Sequence, residues 1–145
     1  MTIKEATVSR KVSQKMGVKA GMRAFFLNAP ESALEAINLP SLDVGSGLQG
    51  QFDYIHFFAK TQAEMDGTFP KLKRHLKPTG MLWLSWPKAK KLGTDLALPV
   101  VISIGYSHEL VESTCLSVDV TWSSLKFTHP KKDKIYHNSY GQLKP

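Results

Sequence analysis

Two apolar runs separated by an amphipathic stretch stand out in the middle of the chain. Residues 52–59 read FDYIHFFA and residues 81–86 read MLWLSW, and the segment between them is long enough for a helix. Continuous apolar runs of this length are typical of strands that are covered on both faces, as in parallel sheets. The pattern therefore predicts a strand–helix–strand unit with parallel strands over Phe52–Lys88.

The amphipathic stretch carries the sequence features of a helix. Thr61 and Glu64 match a capping box, in which each side chain satisfies the free backbone amide of the other residue. Gly67 and Pro70 interrupt the pattern, so we predict two helical pieces, and we expect Pro78–Gly80 to end the second. The apolar stripe that would face the sheet consists of Met65, Phe69, Leu72 and Leu76.

The part of the chain before this unit predicts one more strand and one helix. Met22–Ala29 is a short, aromatic apolar run, as expected of a central strand. Pro30 suits the first turn of a helix, because its φ is fixed and its missing N–H is not needed there. The apolar stripe of that helix ends at Ile37. The glycine-rich stretch beyond it leaves room for a very short edge strand at Leu42–Val44.

The part after the unit predicts a helix and two strands. Thr94 or Asp95 can cap a helix over Leu96–Ser107, whose apolar residues keep helical spacing. Leu110–Val120 and Leu125–Thr128 have the composition of strands. Because the connection between them is short, they predict an antiparallel hairpin or edge pair.

Together these elements predict a single three-layer α/β domain. Its sheet would be Rossmann-like and mostly parallel, with five or six strands, and the runs at 22–29, 52–59 and 81–86 would be neighbours in that order. The chain has 145 residues, of which 42% are hydrophobic and 21% charged, which is the composition of a folded domain.

The net charge of +7 is concentrated in the two flanks. Residues 1–23 contain six basic and one acidic residue, residues 126–145 contain five basic and one acidic residue, and residues 24–125 carry −2. We therefore divide the chain into a basic N-terminal arm (1–20), a domain (21–128) and a basic, flexible C-terminal tail (129–145). The flanks either solvate the ends of the domain or attract nucleic acid or another polyanion.

The N-terminal arm has two interpretations. Val8, Val12 and Met16 fall four residues apart, so the arm is either a short helix docked on the domain or a mobile segment. The sequence is compatible with a monomer and with a homodimer formed through this arm or through an exposed sheet edge.

The sequence lacks the features of a secreted or membrane protein. No apolar run reaches the length of a membrane span or of a signal-peptide core, so we expect a cytoplasmic protein with no membrane partner. Cys115, the single cysteine, lies in an apolar run and is expected to be a small buried side chain in a reducing compartment. The five histidines lack metal-binding spacing, so no metal site is expected. His56 is expected to be a hydrogen-bonded core histidine.

Ligands of parallel α/β sheets bind beyond the carboxyl ends of the strands. That rule selects the loops Asn28–Ser32, Ala59–Thr61 and Trp86–Asp95. The first loop contains no glycine and Pro30 removes one N–H donor, which argues against a conventional dinucleotide or phosphate cradle. Asn28 either contacts a ligand or caps the following helix.

The third loop offers further candidates, each with a structural alternative. Lys88, Lys90 and Lys91 could clamp an anion or form a solvated basic loop. Asp95 could act as a general base or as a helix cap, and Trp86 could stack on a base or belong to the core. No catalytic residue can be assigned. The candidate ligand-binding residues are Asn28, Pro30, Glu31, Trp86, Lys88 and Asp95.

The sequence also resembles a known family. The similarity covers residues 17–128 and lies in GVKAGMRAFFLNAPE, FDYIHFFAK, LKPTGMLWLSWPK, TDL at 94–96, Asp119, TWS at 121–123 and LKF at 125–127. These segments resemble a small bacterial family of unknown function with a methyltransferase-like, Rossmann-type fold. FDYIHFFA looks like the fourth strand of methyltransferases, and LKPTG resembles the LKPGG that leads into their fifth, with Thr79 in place of the first glycine.

The resemblance makes S-adenosylmethionine a possible cofactor, although no cofactor can be assigned. The glycine-rich loop that seats it in the larger superfamily is absent, and only the 22 residues of Pro30–Gln51 separate the first two long strands. The superfamily places two strands there, together with the acidic residue that holds the ribose hydroxyls, for which Asp43 is the nearby candidate. We therefore expect a truncated methyltransferase-like fold with an incomplete cofactor pocket.

Three functions are compatible with these features. The favoured hypothesis is a degenerate methyltransferase-like binding or interaction module without conventional methyl transfer. The alternatives are a small enzyme that uses S-adenosylmethionine or a nucleotide in an atypical pocket, and a protein that binds nucleic acid through its basic flanks.

Overall fold

The computed structural model describes residues 10–143. This part of the chain contains the strands β1 (Arg23–Leu27), β2 (Asp43–Val44), β3 (Phe52–Phe58), β4 (Leu76–Pro87), β5 (Val111–Ser117) and β6 (Trp122–Thr128). They form one six-stranded sheet in the order β2-β1-β3-β4-β6-β5. The first four strands in that order are parallel neighbours, whereas β6 is antiparallel to both β4 and β5. The predicted mostly parallel sheet, its central order and its late antiparallel hairpin are confirmed.

Helices cover both faces of the sheet, which confirms the three-layer architecture. The helices are α1 (Val12–Met16), α2 (Glu31–Ile37), α3 (Gln62–Lys73) and α4 (Leu98–Ser107). The side chains of β3 point to both faces of the sheet, so Ile55 and Phe57 pack under α3 and α4 while Tyr54 and Phe58 lie on the side of α1 and α2. We call these the α3/α4 face and the α1/α2 face.

The predicted break in the helix after β3 is wrong. Helix α3 is continuous over Gln62–Lys73 and contains Pro70. A proline in this position costs one hydrogen bond, to the carbonyl of Asp66. Asp66 and Gly67 are exposed, so water can satisfy that carbonyl. The buried stripe of Met65, Phe69 and Leu72 holds the helix on the sheet.

Strand β4 is longer than predicted, and Leu76 is its first residue rather than the last of the helical stripe. The amide of Phe52 donates to the carbonyl of His75 at 2.7 Å, which draws this segment into the sheet. Pro78–Gly80, expected to end the second helical piece, therefore lies within the strand, beside a register shift of the β3–β4 pair.

Helix α4 begins at Leu98, with Ala97 as its N-cap, so neither Thr94 nor Asp95 caps it. The hydroxyl of Thr94 donates to the carbonyl of Lys60 at 2.6 Å and accepts from the amide of Leu96. These contacts hold the residues before the helix in an extended conformation against the end of β3.

Both flanks contact the domain where the structure describes them. In the N-terminal flank Met16 and Val18 are buried, while Val8 lies outside the described residues. In the C-terminal flank Tyr136 packs against the core of the α3/α4 face, and the Asn138 amide donates to a Glu112 carboxylate oxygen at 3.1 Å. The division into arm, domain and tail stays a prediction.

Cys115 is exposed, so the expectation of a buried thiol is wrong. It lies in β5, the last strand of the sheet, next to a shift of register against β6. None of the helices in residues 10–143 is long and apolar enough to cross a bilayer.

Candidate functional site

A cavity of about 370 Å³ opens at the carboxyl ends of β1 and β3. The chain passes from β1 to β2 on one side and returns to β3 on the other, so this is the point where the strand order reverses. Open α/β sheets bind their ligands at such points. We call this the crevice cavity. It is lined by Asn28, Pro30, Phe58, Lys60, Glu64 and Trp122.

Two aromatic rings form the apolar part of the crevice cavity. The rings of Phe58 and Trp122 meet edge to face, with centroids 5.1 Å apart and planes at 83°. Both side chains are more than nine-tenths buried. On its other side Phe58 stacks on His56, with ring centroids 4.4 Å apart. The aromatic surface is therefore fixed by packing rather than free to rearrange.

The polar part of the cavity centres on Glu64. One carboxylate oxygen accepts from the amide of Lys60 at 3.0 Å, and the other accepts from the Asn28 side-chain amide at 3.3 Å. The amide of Glu64 donates to Thr61 Oγ1, so the Thr61 half of the predicted capping box is confirmed. The other half is wrong, because the Glu64 carboxylate accepts from the amide of Lys60 and not from that of Thr61. The cavity thus presents a carboxylate, an ammonium group and a carboxamide.

A buried hydrogen-bonded chain lies behind the aromatic rings and joins three strands. His56 Nδ1 is 2.6 Å from the Tyr54 hydroxyl, and His56 Nε2 is 2.7 Å from Ser85 Oγ. Ser85 donates to Ser124 Oγ at 3.0 Å, and Ser124 donates to the carbonyl of Leu84. Because the Ser85 proton is used, Nε2 must carry the imidazole proton and Nδ1 must accept from Tyr54.

His56 is fully buried, and its burial lowers its pKa to about 3. Burial disfavours a charged imidazole, so the side chain is neutral at physiological pH. Burial likewise raises the pKa of the Tyr54 hydroxyl. The expectation that His56 is a hydrogen-bonded core histidine is confirmed.

The six residues selected from the sequence do not lie together. Asn28 and Pro30 line the crevice cavity. Glu31 is exposed in the first turn of α2. Trp86 and Lys88 line a different cavity. Trp86 belongs to the core cluster of the α3/α4 face, opposite the face of the crevice cavity.

Asp95 is a helix cap, but of a helix that precedes it in the chain. Its carboxylate accepts from the amide of Gln62 at 2.8 Å, and its carbonyl accepts from the Gln62 side chain at 2.9 Å. The first turn of α3 is therefore held by two carboxylates, those of Glu64 and Asp95, where the helix dipole favours negative charge.

Asn28 does not cap α2. The N-cap of α2 is Pro30, and no side chain accepts from the first turn. Asn28 lies two residues earlier in the left-handed region, with φ of 59°, which asparagine adopts more readily than most residues. This conformation leaves its side chain at Glu64 instead of at the helix.

Asp43 does not reach the crevice cavity. In the parallel pair of β1 and β2, Asp43 lies opposite Arg23 and Val44 lies opposite Ala24, at the amino end of β1. Leu27 ends β1 four residues beyond Arg23, about 13 Å away at the rise of a strand. The Asp43 side chain is 74% exposed, with Oδ2 4.0 Å from Arg23 Nε.

Four residues of the crevice cavity were not among the candidates from sequence. Phe58, Lys60 and Glu64 end β3 or follow it, so the carboxyl-end rule already indicated their neighbourhood. Trp122 could not have been found in this way, because its place depends on β6 pairing with β4. Among residues 10–143, no three His, Cys, Asp or Glu side chains are grouped so as to hold a metal ion.

Neither a scan against protein-family models nor a search of the curated proteins finds a match. Solved structures do match. The chain is similar to a ribosomal protein L11 methylase from Lactobacillus delbrueckii subsp. bulgaricus, with a TM-score of 0.57 and 11% identity over 83% of this chain and 75% of that chain.

Two further methyltransferases show the same likeness. A methyltransferase from Pyrococcus furiosus has a TM-score of 0.52 and 17% identity over 80% of this chain and 79% of that chain. A TehB-like S-adenosylmethionine-dependent methyltransferase from Corynebacterium glutamicum has a TM-score of 0.54 and 10% identity over 89% of this chain and 93% of that chain. The protein has a methyltransferase-like fold, and the predicted truncated Rossmann-like architecture is confirmed.

Proposed function

We propose that the chain is a binding module of methyltransferase-like fold that does not carry out conventional methyl transfer. The observation that carries this proposal is the register of β2. Rossmann-type sites hold the ribose of the cofactor with an acidic side chain near the end of the second strand. Here that strand has two residues and pairs with the amino end of β1, so Asp43 lies far from the crevice cavity.

The loop after β1 supports the same proposal. Seating a nucleotide against the backbone requires glycines for close approach and free N–H groups as donors. Asn28, Ala29 and Pro30 occupy this loop, and Pro30 has no N–H to donate. A small ligand in the crevice cavity would instead meet side chains, with groups of both charges and an aromatic wall.

The distribution of the candidate residues supports a binding module over an enzyme with an atypical pocket. Such a pocket would need Asn28, Trp86 and Asp95 to converge on one ligand. Asn28 lines one cavity, Trp86 lines another on the opposite face, and the Asp95 carboxylate binds a backbone amide.

Titration calorimetry with S-adenosylmethionine and its demethylated product tests the proposal. We expect no binding in the micromolar range, and micromolar binding of either compound would overturn the proposal. A thermal-shift screen with amino acids, nucleotides and other small polar compounds then identifies the ligand, because a ligand stabilises the state that binds it. Compounds that stabilise the protein are retested on Glu64→Gln, which removes the cavity carboxylate.

Nucleic-acid binding through the basic flanks is a second candidate. Lys131, Lys132 and Lys134 are all exposed and follow one another closely in the C-terminal flank. Replacing all three by glutamine should weaken binding to single- or double-stranded DNA and reduce its dependence on salt. Unchanged binding in the triple variant would count against a role of this flank.

A further inference from the structure

A second cavity, of about 380 Å³, lies at the carboxyl end of β4. Its size falls within the range of roughly 300–1,000 Å³ that is usual for small-molecule pockets. Trp86, Pro87 and Leu96 form buried apolar walls, and Leu98 adds a partly exposed one. We call this the β4 cavity. It lies on the α3/α4 face, so it is separate from the crevice cavity and from the function proposed for it.

Polar donors border one side of the β4 cavity. Trp86 lies opposite Ser123 in the β4–β6 pair, and Ser123 lies opposite Ser117 in the β5–β6 pair, so the three residues form a row across the strands. The ammonium group of Lys88 donates to the Ser117 hydroxyl at the far end of this row. Lys88, Lys90 and Ser123 all line the cavity.

The loop that carries the two lysines has an unfavourable backbone conformation. Ala89, Lys90 and Leu92 have φ values of 50°, 60° and 55°, in the left-handed region that residues with a side chain avoid. The loop is held by two hydrogen bonds to the β5–β6 connection: the Lys88 amide donates to Thr121 and the Lys91 ammonium donates to Val120. Such conformations persist where the surrounding structure imposes them, and they are concentrated at binding sites.

In the described part of the chain the two lysines, Lys88 and Lys90, have no carboxylate within ion-pair distance. Asp95, the acidic residue closest in sequence, binds the amide of Gln62. An apolar cavity bordered by unpaired ammonium groups favours a ligand that is apolar at one end and anionic at the other.

We propose that the β4 cavity binds an apolar carboxylate. The apolar body contacts Trp86, Leu96 and Leu98, and the carboxylate accepts hydrogen bonds from Lys88 and Lys90. This chemistry occurs both in a free aliphatic or aromatic acid and at the C-terminus of a peptide that ends in an apolar residue.

Calorimetry on the full chain with octanoate and 1-octanol tests the role of the charge. We expect octanoate to bind about tenfold or more tightly than 1-octanol, as a charge-assisted hydrogen bond implies. Equal affinity for the two compounds would overturn the proposal. It would also be overturned if neither octanoate nor a peptide carboxylate binds. Amide NMR shifts should be confined to the residues around 86–98 and 117–123, which border the cavity, and shifts centred on Asn28 and Lys60 would count against it.

Matched variants separate this site from general charge effects. Lys88→Gln combined with Lys90→Gln should weaken octanoate binding about tenfold or more. Lys71→Gln combined with Arg74→Gln makes the same change of charge at two exposed basic residues elsewhere and should leave the affinity unchanged. Equal losses in the two double variants would contradict the proposal.

Two peptides distinguish the sources of the carboxylate. A short peptide ending in leucine is titrated with its terminal carboxyl group either free or amidated. Tight binding of the free-carboxyl peptide alone supports a peptide C-terminus as the ligand, and binding of octanoate without the peptide supports a free acid. Equal binding of the free and amidated peptides would contradict recognition of a carboxylate.

Discussion

The carboxylate of Asp95 lies 2.8 Å from the backbone amide of Gln62 and closes the first turn of α3, a helix that begins 33 residues earlier. The sequence alone favoured Asp95 as a cap of the helix that follows it. The contact joins the loop after β4 to the loop after β3, so it helps to fix the edge of the sheet where both cavities open.

Replacing Asp95 tests this contact. Asp95→Ala should lower the free energy of unfolding by about 1 kcal/mol, the usual cost of losing a helix cap. Asp95→Asn keeps an oxygen acceptor and should cost less. Chemical denaturation of both variants measures the difference, and an Ala variant as stable as the wild type would show that the contact contributes nothing.

Helix α4 packs so closely on β6 that its glycine is required. A Cβ atom at Gly105 would collide with the buried ring of Phe127. Gly105→Ala should therefore lower the free energy of unfolding by about 1–3 kcal/mol, as overpacking of a core does.

Gly67 in α3 is the matched control, because a Cβ atom there would meet nothing within 4 Å. Gly67→Ala should raise the free energy of unfolding by about 0.5–1 kcal/mol through helix propensity. A stabilising Gly105→Ala substitution would contradict the packing of α4 described above.

The buried chain of His56 predicts a dependence of stability on pH. The pKa of His56 is about 3 in the folded protein, below the ordinary value of 6.5 that applies in the unfolded chain. Between these values the unfolded chain binds a proton that the folded protein does not. Stability is therefore retained above pH 6.5 and lost as the pH falls below it, by about 1.4 kcal/mol per pH unit.

Denaturation of the wild type and His56→Phe between pH 7 and pH 5 measures this effect. In this range the carboxyl group of Asp53, whose pKa is lowered first by the hydrogen bond from the Arg23 amide, stays ionised in both states. The variant should be less stable at pH 7 and should lose less stability on acidification. A nitrogen chemical shift showing a proton on Nδ1 would contradict the assigned tautomer.

Replacing Asp43 should have only a small effect on the free energy of unfolding. Its ion pair with Arg23 spans 4.0 Å, and the carboxylate is mostly exposed. Asp43→Asn should change the free energy of unfolding by less than about 1 kcal/mol, as is usual for surface ion pairs. It should also leave ligand binding in the crevice cavity unchanged. A lost affinity for the ligand identified by the thermal-shift screen would place Asp43 in the site after all.

Most helices and strands of the fold were predictable, because the pattern of polar and apolar residues within each segment indicates them. The apolar run of β3 and the helical spacing of the buried residues in α3 can both be recognised from residues that are close together in the sequence. The Thr61–Glu64 cap is also local, since it lies within one helical turn. The continuity of α3 through Pro70 was not predictable, because the cost of a proline depends on whether water reaches the carbonyl that it leaves unpaired.

The candidate site was predictable in part. The rule that ligands bind at the carboxyl ends of strands selected the loops that contain Asn28 and Lys60, and both residues line one cavity. Their binding of a ligand stays a prediction. The rule could not separate the two faces of the sheet, which is why Trp86 and Lys88 were grouped with Asn28.

The sequence by itself determined that this chain forms a three-layer, mostly parallel sheet with a shortened front half. Tertiary structure alone decided that Trp122 joins the crevice cavity, that Asp95 caps α3, and that β2 pairs with the amino end of β1. Each of these depends on which strand lies beside which and in what register. Those relations are set by packing between residues that are far apart in the chain, so the pattern of residues within one segment does not predict them.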